Sequence, residues 1–434
     1  MDPPRLQVGI DFSQKQADIC VLQNNGQPVE LHQRCGNNQT GYAQAKRLIL
    51  AALDQYGQSG IDLGGEATGN YWLPFYLCLA EDTELAAHDL RLYLLNPLWV
   101  HWYKKSLPQD DKTDHKDPYY IADRIRTHPP KVAWRPDWEW LALRTYTRLR
   151  FYLMQQLSSE KNFFQAHLFV LYSSYATTRP FSNLFGRTSQ QVLSYAPDLA
   201  DLLALDADPL RSQLAEWSQG NLFHPDENMR KLHRVVQESF PLDPRLAKAL
   251  RPMLKLLFEN IRFLEGQVAQ VEEWIASEAA QHPEVAILAA IPGLGPVTSA
   301  GITAEVGSLQ RFFAGQKWNK RQRAYRPKDL RDVEDAVAKY AGLWWPRSAS
   351  GDFEAEERHL SKRGNRYLRY YLVEAADHMR RWIPSYQTFY KTKFHQATKH
   401  KHKRALILTA RKSVGLFVGL LHRMEAYTPE VKNS

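Results

Sequence analysis

Cysteine is scarce in this 434-residue chain: Cys20, Cys35 and Cys78 are the full set, and no two stand in a CxxC spacing. Neither a zinc ribbon nor a disulfide framework is therefore indicated. No uninterrupted apolar run reaches the roughly eighteen residues of a bilayer span, which argues against a membrane segment. The opening MDPPRLQVGIDFSQ lacks a basic stretch followed by an apolar core, so no signal peptide is evident and a soluble, cytoplasmic protein is expected. Acidic residues are in the minority, 47 Asp and Glu against 56 Lys and Arg, for a net charge of +9. The excess gathers late in the chain, in KTKFHQATKHKHKRALILTARK, while the first hundred residues are nearly balanced. A basic surface of this kind suits nucleic acid, although anionic lipid would also be drawn to it. Hydrophobic residues at 44% and charged residues at 24% describe a folded chain, and its length calls for two or three domains.

The first 130 residues alternate between strand and helix signals. LQVGIDFS (6–13) and QADICVLQ (16–23) read as strands, NNGQ as a hairpin turn, and PVELHQRC as a third strand. TGYAQAKRLILAALDQYG (40–57) has helical apolar spacing and stops on Gly57. IDLGGEATG (61–69) is a strand entering a glycine-rich turn, YWLPFYLCLAED a short helix, LRLYLLNP (90–97) a strand and WVHWYKKS a helical turn. This order predicts a mixed sheet with helices on its faces, as in ribonuclease-H-type folds. Two long amphipathic stretches, 141–172 and 243–280, predict paired antiparallel helices or a coiled coil, with an inserted helical module at about 181–243. From AILAAIPGLGPVTSAGITAEVG (286–307) onward the chain reads as helical to its end. The predicted domains are 1–135, 136–283 and 284–434.

DDKTDHKDPYYIADRIR (110–126) packs five carboxylates into this basic chain. Two other acids are conspicuous. Asp11 interrupts the apolar run VGIDFS, where a lone charge needs a reason, and Glu66 ends a strand between GG and ATG. Asp114 and Asp117 are spaced to share a helical face. Carboxylates gathered from separate elements repel one another unless a cation sits among them, and Mg²⁺ binds through a few carboxylates plus phosphate oxygens. The alternative is plain: Asp117 before Pro118 makes a good helix cap, and Asp110 and Asp111 make ordinary loop charges. Jointly, an acid on the first strand, one ending the fourth and two opening a helix favour a metal site.

The runs GIDFSQKQADICVL, EATGNYW, LLNPLWVHWYKKS and DKTDHKDPYYIADRI resemble the N-terminal RuvC-like domain of DEDD-type insertion-sequence transposases, the IS one-ten family, which is similar to the Piv and MooV DNA invertases. IPGLGPVTSAGITAEVGSLQRF, YAGLWWPRSASG and LSKRGNRYLRYYLVEAA resemble, in order, that family's transposase domain. The resemblance implies an α/β RuvC/ribonuclease-H-like first domain, a coiled-coil middle and a mostly α last domain. It gives Asp11, Glu66, Asp114 and Asp117 the four acidic positions, holding Mg²⁺ or Mn²⁺. A serine just before a glycine is the family's nucleophile, which here is Ser350 ahead of Gly351, with Arg347, Arg358, Lys362 and Arg363 near it in sequence. Implied partners are donor and target DNA, a noncoding bridge RNA and further copies of the chain, as a dimer assembling to a tetramer. No membrane partner is implied, and the expected setting is the nucleoid of a bacterial cytoplasm.

Three departures from the family pattern stand out. Pro118 replaces a usual alanine. About thirty residues, including QKWNKRQRAYRPKDLRD, separate RF from AGL, and GDFEAEERHL is acidic where the family is often basic. The insertion reads equally as a nucleic-acid contact or a solvated arm. Basic and aromatic residues interleave in SKRGNRYLRYY and KHKHKRALILTARK, making Arg366, Lys401, Lys403 and Arg404 further candidate contacts beside Arg347, Lys362 and Arg363. The glycine-rich turn at 292–295 offers backbone N–H groups to a phosphate, or simply joins packed helices. The function expected is an RNA-guided DNA recombinase working through a phosphoserine. A RuvC-like nuclease that uses water is the rival, and a non-catalytic nucleic-acid scaffold is a third reading.

Overall fold

A computed structural model describes residues 4–107, 116–130, 132–195, 199–221, 224–319, 321–346, 349–350, 353–354 and 359–429. The chain divides into two compact units, Met1–Glu139 with Ser308–Ala336, and Trp140–Gly307 with Val337–Ser434.

The first unit is built on a mixed sheet. Its elements run β1 (Arg5–Phe12), β2 (Gln16–Leu22), β3 (Pro28–Gly36), α1 (Gln39–Tyr56), β4 (Gly60–Glu66), α2 (Leu73–Glu81), α3 (Thr83–Ala86), β5 (Leu90–Leu95), α4 (Pro97–Ser106) and α5 (Asp117–Thr127). The spatial order is β3-β2-β1-β4-β5, antiparallel among the first three strands and parallel from β1 to β4 to β5. Gly26, at φ +87°, closes the β2–β3 turn, and Gly57, at φ +58°, ends α1 in the left-handed conformation glycine tolerates. Four-residue α3 was not anticipated; it is capped by Asp82, whose carboxylate accepts from the amides of Glu84 and Leu85.

Period-two alternation sorts the strands into two faces. Leu6, Val8, Ile10, Phe12, Ile19, Val21, Ile61 and Leu63 bury one face in a core that also takes in Tyr42, Ile49, Phe75 and Tyr76. The other face lies under α5, whose Ile121 and Ile125 pack with Tyr93, Leu95 and Val100, and whose Ala122 packs with Cys20 and Leu22. Gly9 and Gly64 sit directly beneath it. A Cβ on Gly9 would lie 2.0 Å from the Pro118 carbonyl oxygen, and one on Gly64 3.0 Å from Ile125. Glycine at these two places lets the helix rest on the backbone.

The same unit includes α15 (Gln310–Phe313) and a separate two-stranded ribbon, β6 (Gln316–Asn319) and β7 (Ala324–Pro327), followed by the start of α16 (Leu330–Tyr340). The expectation of continuous helix after residue 286 is thus corrected: 316–327 is a β-hairpin, and a short pair β8 (Ala349–Ser350) and β9 (Phe353–Glu354) interrupts the helices again. Trp and Tyr, placed opposite one another on β6 and β7, favour a sheet surface over a helical turn.

The second unit is predominantly helical. Helices α6 (Trp138–Leu171) and α12 (Pro244–Ala279) are its longest elements. They run antiparallel, since Tyr146 meets Trp274, Arg150 pairs with Glu272, Lys161 with Glu265, and Phe164 with Phe258. Buried residues of α12 recur every three or four positions from Ala247 to Ala279, the stripe that packing against a partner requires. Between the two come α7 (Tyr175–Thr178), α8 (Arg187–Tyr195), α9 (Leu199–Leu203), α10 (Ala207–Ser218) and α11 (Pro225–Glu238). Then follow α13 (Pro283–Ala289), α14 (Pro296–Val306), α17 (Arg366–Trp382), α18 (Pro384–Gln396) and α19 (Lys401–Arg423). By length and composition α19 is apolar enough to cross a membrane, but more than half of its apolar window is buried inside the protein, as in a core helix. Its Val414, Phe417 and Val418 sit in the helical core beside Ile302 and Leu372.

Candidate acidic site and basic surfaces

The glycines under α5 decide where the acids go. Gly9 and Gly64 face each other in register on β1 and β4, and two residues further along, on the same sheet face, stand Asp11 and Glu66. Since α5 begins at Asp117, with Pro118 already resting on Gly9, its first residue comes to the end of the face where the two strand acids stand. Burial, then the charges of Asp117 and Glu66, push the Asp11 carboxyl up from 3.8 to about 6, while the Lys104 ammonium pulls the other way. The charges of Glu66 and Asp117 therefore both reach Asp11.

Their present partners are specific. Asp117 Oδ1 lies 2.7 Å from Lys104 Nζ of α4, and Glu66 Oε1 accepts from Thr68 Oγ1 at 2.8 Å. The capping account of Asp117 is corrected: it is the first residue inside α5, Lys116 precedes it, and among the described residues no side chain caps this end. Asp110, Asp111 and Asp114 lie outside the described residues. Among the described residues no cluster of three acidic, imidazole or thiol groups is arranged to hold a metal ion.

Asp18 was not singled out from the sequence. It lies directly across from Asp11 on β2, and it contributes to raising the Asp11 carboxyl. His32 Nε2 at 2.7 Å and Arg34 Nε at 2.8 Å hold its carboxylate, and together they keep its pKa low despite burial. The signal was available in QADICVL, where Asp18 shares its face with Cys20 and Leu22.

Ser350 is the second residue of β8, its backbone paired with Phe353. Arg347, Gly351 and Arg358 lie outside the described residues. The stem of this loop is well defined. Ser361 N donates to the Trp344 carbonyl at 3.0 Å, and Asn365 N donates to the Tyr340 carbonyl at 2.6 Å. Gly364 fits because a Cβ there would lie 2.4 Å from the Tyr340 oxygen. Asn365 also caps α17, accepting from the amides of Tyr367 and Leu368, while its Nδ2 donates to Glu305 Oε2 at 2.6 Å and to Tyr340 Oη at 3.0 Å. Glu305, 1% exposed, takes a two-pronged Arg148 at 2.6 and 2.9 Å. The YAGL and RGN motifs thus interlock on either side, in sequence, of the segment that carries Ser350.

Among the predicted basic contacts, Lys362 and Arg363 are exposed on that stem, and Arg366 lies over the rings of Phe151 and Tyr367 at 5.7 and 4.9 Å. Lys401, Lys403 and Arg404 are exposed in the first turn of α19, with no side-chain cap on that helix. Cations are disfavoured at a helix N-terminus, so an anion at this end would relieve the strain. In the glycine-rich turn, Gly293 packs on Trp382 and Gly301 on the Tyr371 ring, which is the helix-packing use; Gly295, opening α14, faces free space.

Residues 8–172 match the DEDD-type family described as "Transposase", and residues 329–391 match the "Transposase IS116/IS110/IS902 family". The chain belongs to this family of insertion-sequence transposases. It is 32% identical over 136 residues to the pilin gene-inverting proteins of Moraxella bovis and Moraxella lacunata, covering 30% of this chain and 36% of each relative. It is 23% identical over 197 residues to a probable family 20 transposase of Pseudomonas aeruginosa, covering 45% of this chain and 51% of that protein. The matches therefore span only about a third to a half of these curated relatives. In this transposase all four predicted acids fall in the first matched segment, and Ser350 in the second. The β6–β7 ribbon and the start of α19 lie outside both.

Proposed function

We propose that this transposase cuts and rejoins DNA strands, with Ser350 as nucleophile and Asp11, Glu66, Asp114 and Asp117 as the acidic centre. The observation that carries the phosphoryl-transfer reading is the convergence of Asp11, Glu66 and Asp117 on one end of the sheet, where burial first, and then the charges of Asp117 and Glu66, raise the Asp11 carboxyl to about 6. Hard carboxylate oxygens are the donors Mg²⁺ or Mn²⁺ prefer, and when bound such an ion stabilises charge on a phosphoryl group in transfer. Release of Asp117 from Lys104 is the change that would complete the set. The strand order β3-β2-β1-β4-β5 supports a RuvC/ribonuclease-H-like description of the first domain, within the three functional divisions 1–135, 136–283 and 284–434.

In the serine step, Ser350 Oγ loses its proton to a base and forms a bond to a DNA phosphorus. One phosphorus–oxygen bond to the sugar breaks, and the sugar hydroxyl leaves with a proton. The phosphoserine keeps the phosphodiester's energy, so attack by a second strand's hydroxyl rejoins DNA and frees the serine. Arg347, Arg358, Lys362 and Arg363 suit the phosphate's charge. Support for the serine is its place ahead of Gly351 in a family-matched segment, on a loop whose stem is fixed by Tyr340, Gly364 and Asn365. Guidance by a bridge RNA, a tetramer with shared sites and a bacterial nucleoid setting complete the proposal, on the family resemblance. That the pilin gene-inverting relatives are named for inverting DNA is consistent with recombination.

Denaturing gels of wild-type reactions should show protein shifted by covalently attached DNA, and purified protein should carry a discrete RNA. Ser350→Ala should abolish the shift, and Asp11→Ala or Glu66→Ala should abolish cutting while leaving RNA binding in place. Metal-dependent cutting without an adduct would assign a water-using nuclease instead.

A further inference from the structure

The hairpin β6–β7 is the part of the first unit that neither family segment covers, and its chemistry is asymmetric. Residues 311–331 hold eight Lys and Arg against the single acid Asp329. In the antiparallel register Lys317 faces Arg326 and Trp318 faces Tyr325. The first pair is turned inward. Lys317 Nζ and Arg326 Nη1 both bind the carboxylate of Asp332, which is only 6% exposed and whose pKa they hold far below the usual range. The turn is held by Asn319 Oδ1, which accepts from the amides of Arg321 and Gln322.

With that face anchored, alternation sends the second pair to the opposite face. Trp318 and Tyr325 pack edge to face, ring centroids 5.1 Å apart, and remain 47% and 63% exposed. Arg321 and Arg323 are exposed in the turn just beyond them. The ribbon joins no larger sheet, so these two rings are not the margin of a core. Two large rings left in water beside free-standing cations match one ligand chemistry: π-faces for unpaired bases and positive charge for the phosphates linking them. Trp, Tyr and Arg also suit protein interfaces; the choice of nucleic acid rests on the segment's charge, eight Lys and Arg against one acid.

We propose that the Trp318–Tyr325 face is a stacking platform for single-stranded nucleic acid, with Arg321 and Arg323 on its backbone. This deepens the proposed function, since it rests on the chain acting on nucleic acid, and it makes the insertion a strand-holding arm.

The test measures binding of the full-length protein to fluorescent 20-nucleotide single strands, one RNA and one DNA of the same sequence, and to a 20-base-pair DNA duplex. Trp318→Ala with Tyr325→Ala should weaken single-strand binding about tenfold or more, leave the salt slope unchanged and leave duplex binding nearly intact. Arg321→Gln with Arg323→Gln should flatten the salt slope by about two phosphates. Trp318→Phe with Tyr325→Phe should restore most of the affinity. A larger loss on RNA assigns the arm to RNA, and a larger loss on DNA assigns it to an unpaired DNA strand. Full affinity in the double alanine variant, equal loss on duplex, or an effect confined to binding of vesicles containing phosphatidylserine would overturn the platform. A wild-type protein that bound none of the three oligonucleotides would instead bring down the nucleic-acid reading of the whole chain.

Discussion

The sheet end carrying Asp11 and Glu66 and the helical region around Asn365 use motif residues in opposite ways. On the sheet, two glycines give up their side chains so that α5 can lie close, and the acids two residues on stand at the edge of the contact, Glu66 held by the nearby Thr68 hydroxyl. In the helical unit the residues of YAGL and RGN are spent on packing and capping: Asn365 alone serves α17, Glu305 and Tyr340. On the function proposed above, a sequence motif marks chemistry where its polar residues end up with few fixed partners. It marks architecture where each polar atom is already committed.

The largest effect expected from breaking this contrast is in the helical unit. Arg148→Ala takes the two-pronged guanidinium from the buried Glu305 carboxylate, and should cost about 3–5 kcal/mol of stability in urea titration. Arg148→Met combined with Glu305→Leu should recover much of the loss, because no buried charge remains.

On the sheet, Gly9→Ala places a methyl against the Pro118 carbonyl, backbone against which nothing can swing aside. About 3 kcal/mol or more should be lost, with α5 displaced and the acids misaligned. Gly295→Ala, in open space, should change the melting temperature little. Equal effects at the two glycines would remove the close-contact argument.

A smaller effect separates the acidic end from ordinary surface charge. The folded protein holds the Asp11 proton up to about 6 rather than 3.8, so stability falls as pH rises between those values and the deficit persists above. Asp11→Asn should therefore match wild type at pH 3 and exceed it above pH 6, by about 1–2 kcal/mol after allowing for solvent screening. Addition of Mg²⁺ to the wild type should stabilise it only if the acids bind the ion, and should do nothing for the Asn variant.

The smallest change in fold and a clear one in binding is expected at α19. Replacing Lys401, Lys403 and Arg404 with Gln should leave stability within about 0.5 kcal/mol while reducing the salt dependence of DNA binding. An unchanged salt slope would make these cations bystanders.

Much of this was legible in the sequence for physical reasons. Alternation fixed the strands and their buried face, Gly57 stopped α1, and three- to four-residue spacing marked α6 and α12. The odd acid in VGIDFS and the acid after GG were visible because a charge in an apolar run is costly. Other features were hidden. Continuous helix was expected at 316–327, since a basic, turn-rich run carries no strong period, and the cross-strand pairing of Trp318 with Tyr325 exists only once the hairpin closes. Asp117 was read as a metal ligand with a helix cap as the alternative, and only the packing of α5 on Gly9 placed it inside the helix, beside Lys104. Local pattern determined which residues are strands, helices and turns, because propensity and periodicity act over a few residues. Which acids meet, which glycines are contacts and which arginine neutralises Glu305 were decided by tertiary structure, because Asp11 and Glu66, Gly9 and Pro118, and Arg148 and Glu305 are far apart in the chain and no local rule spans them.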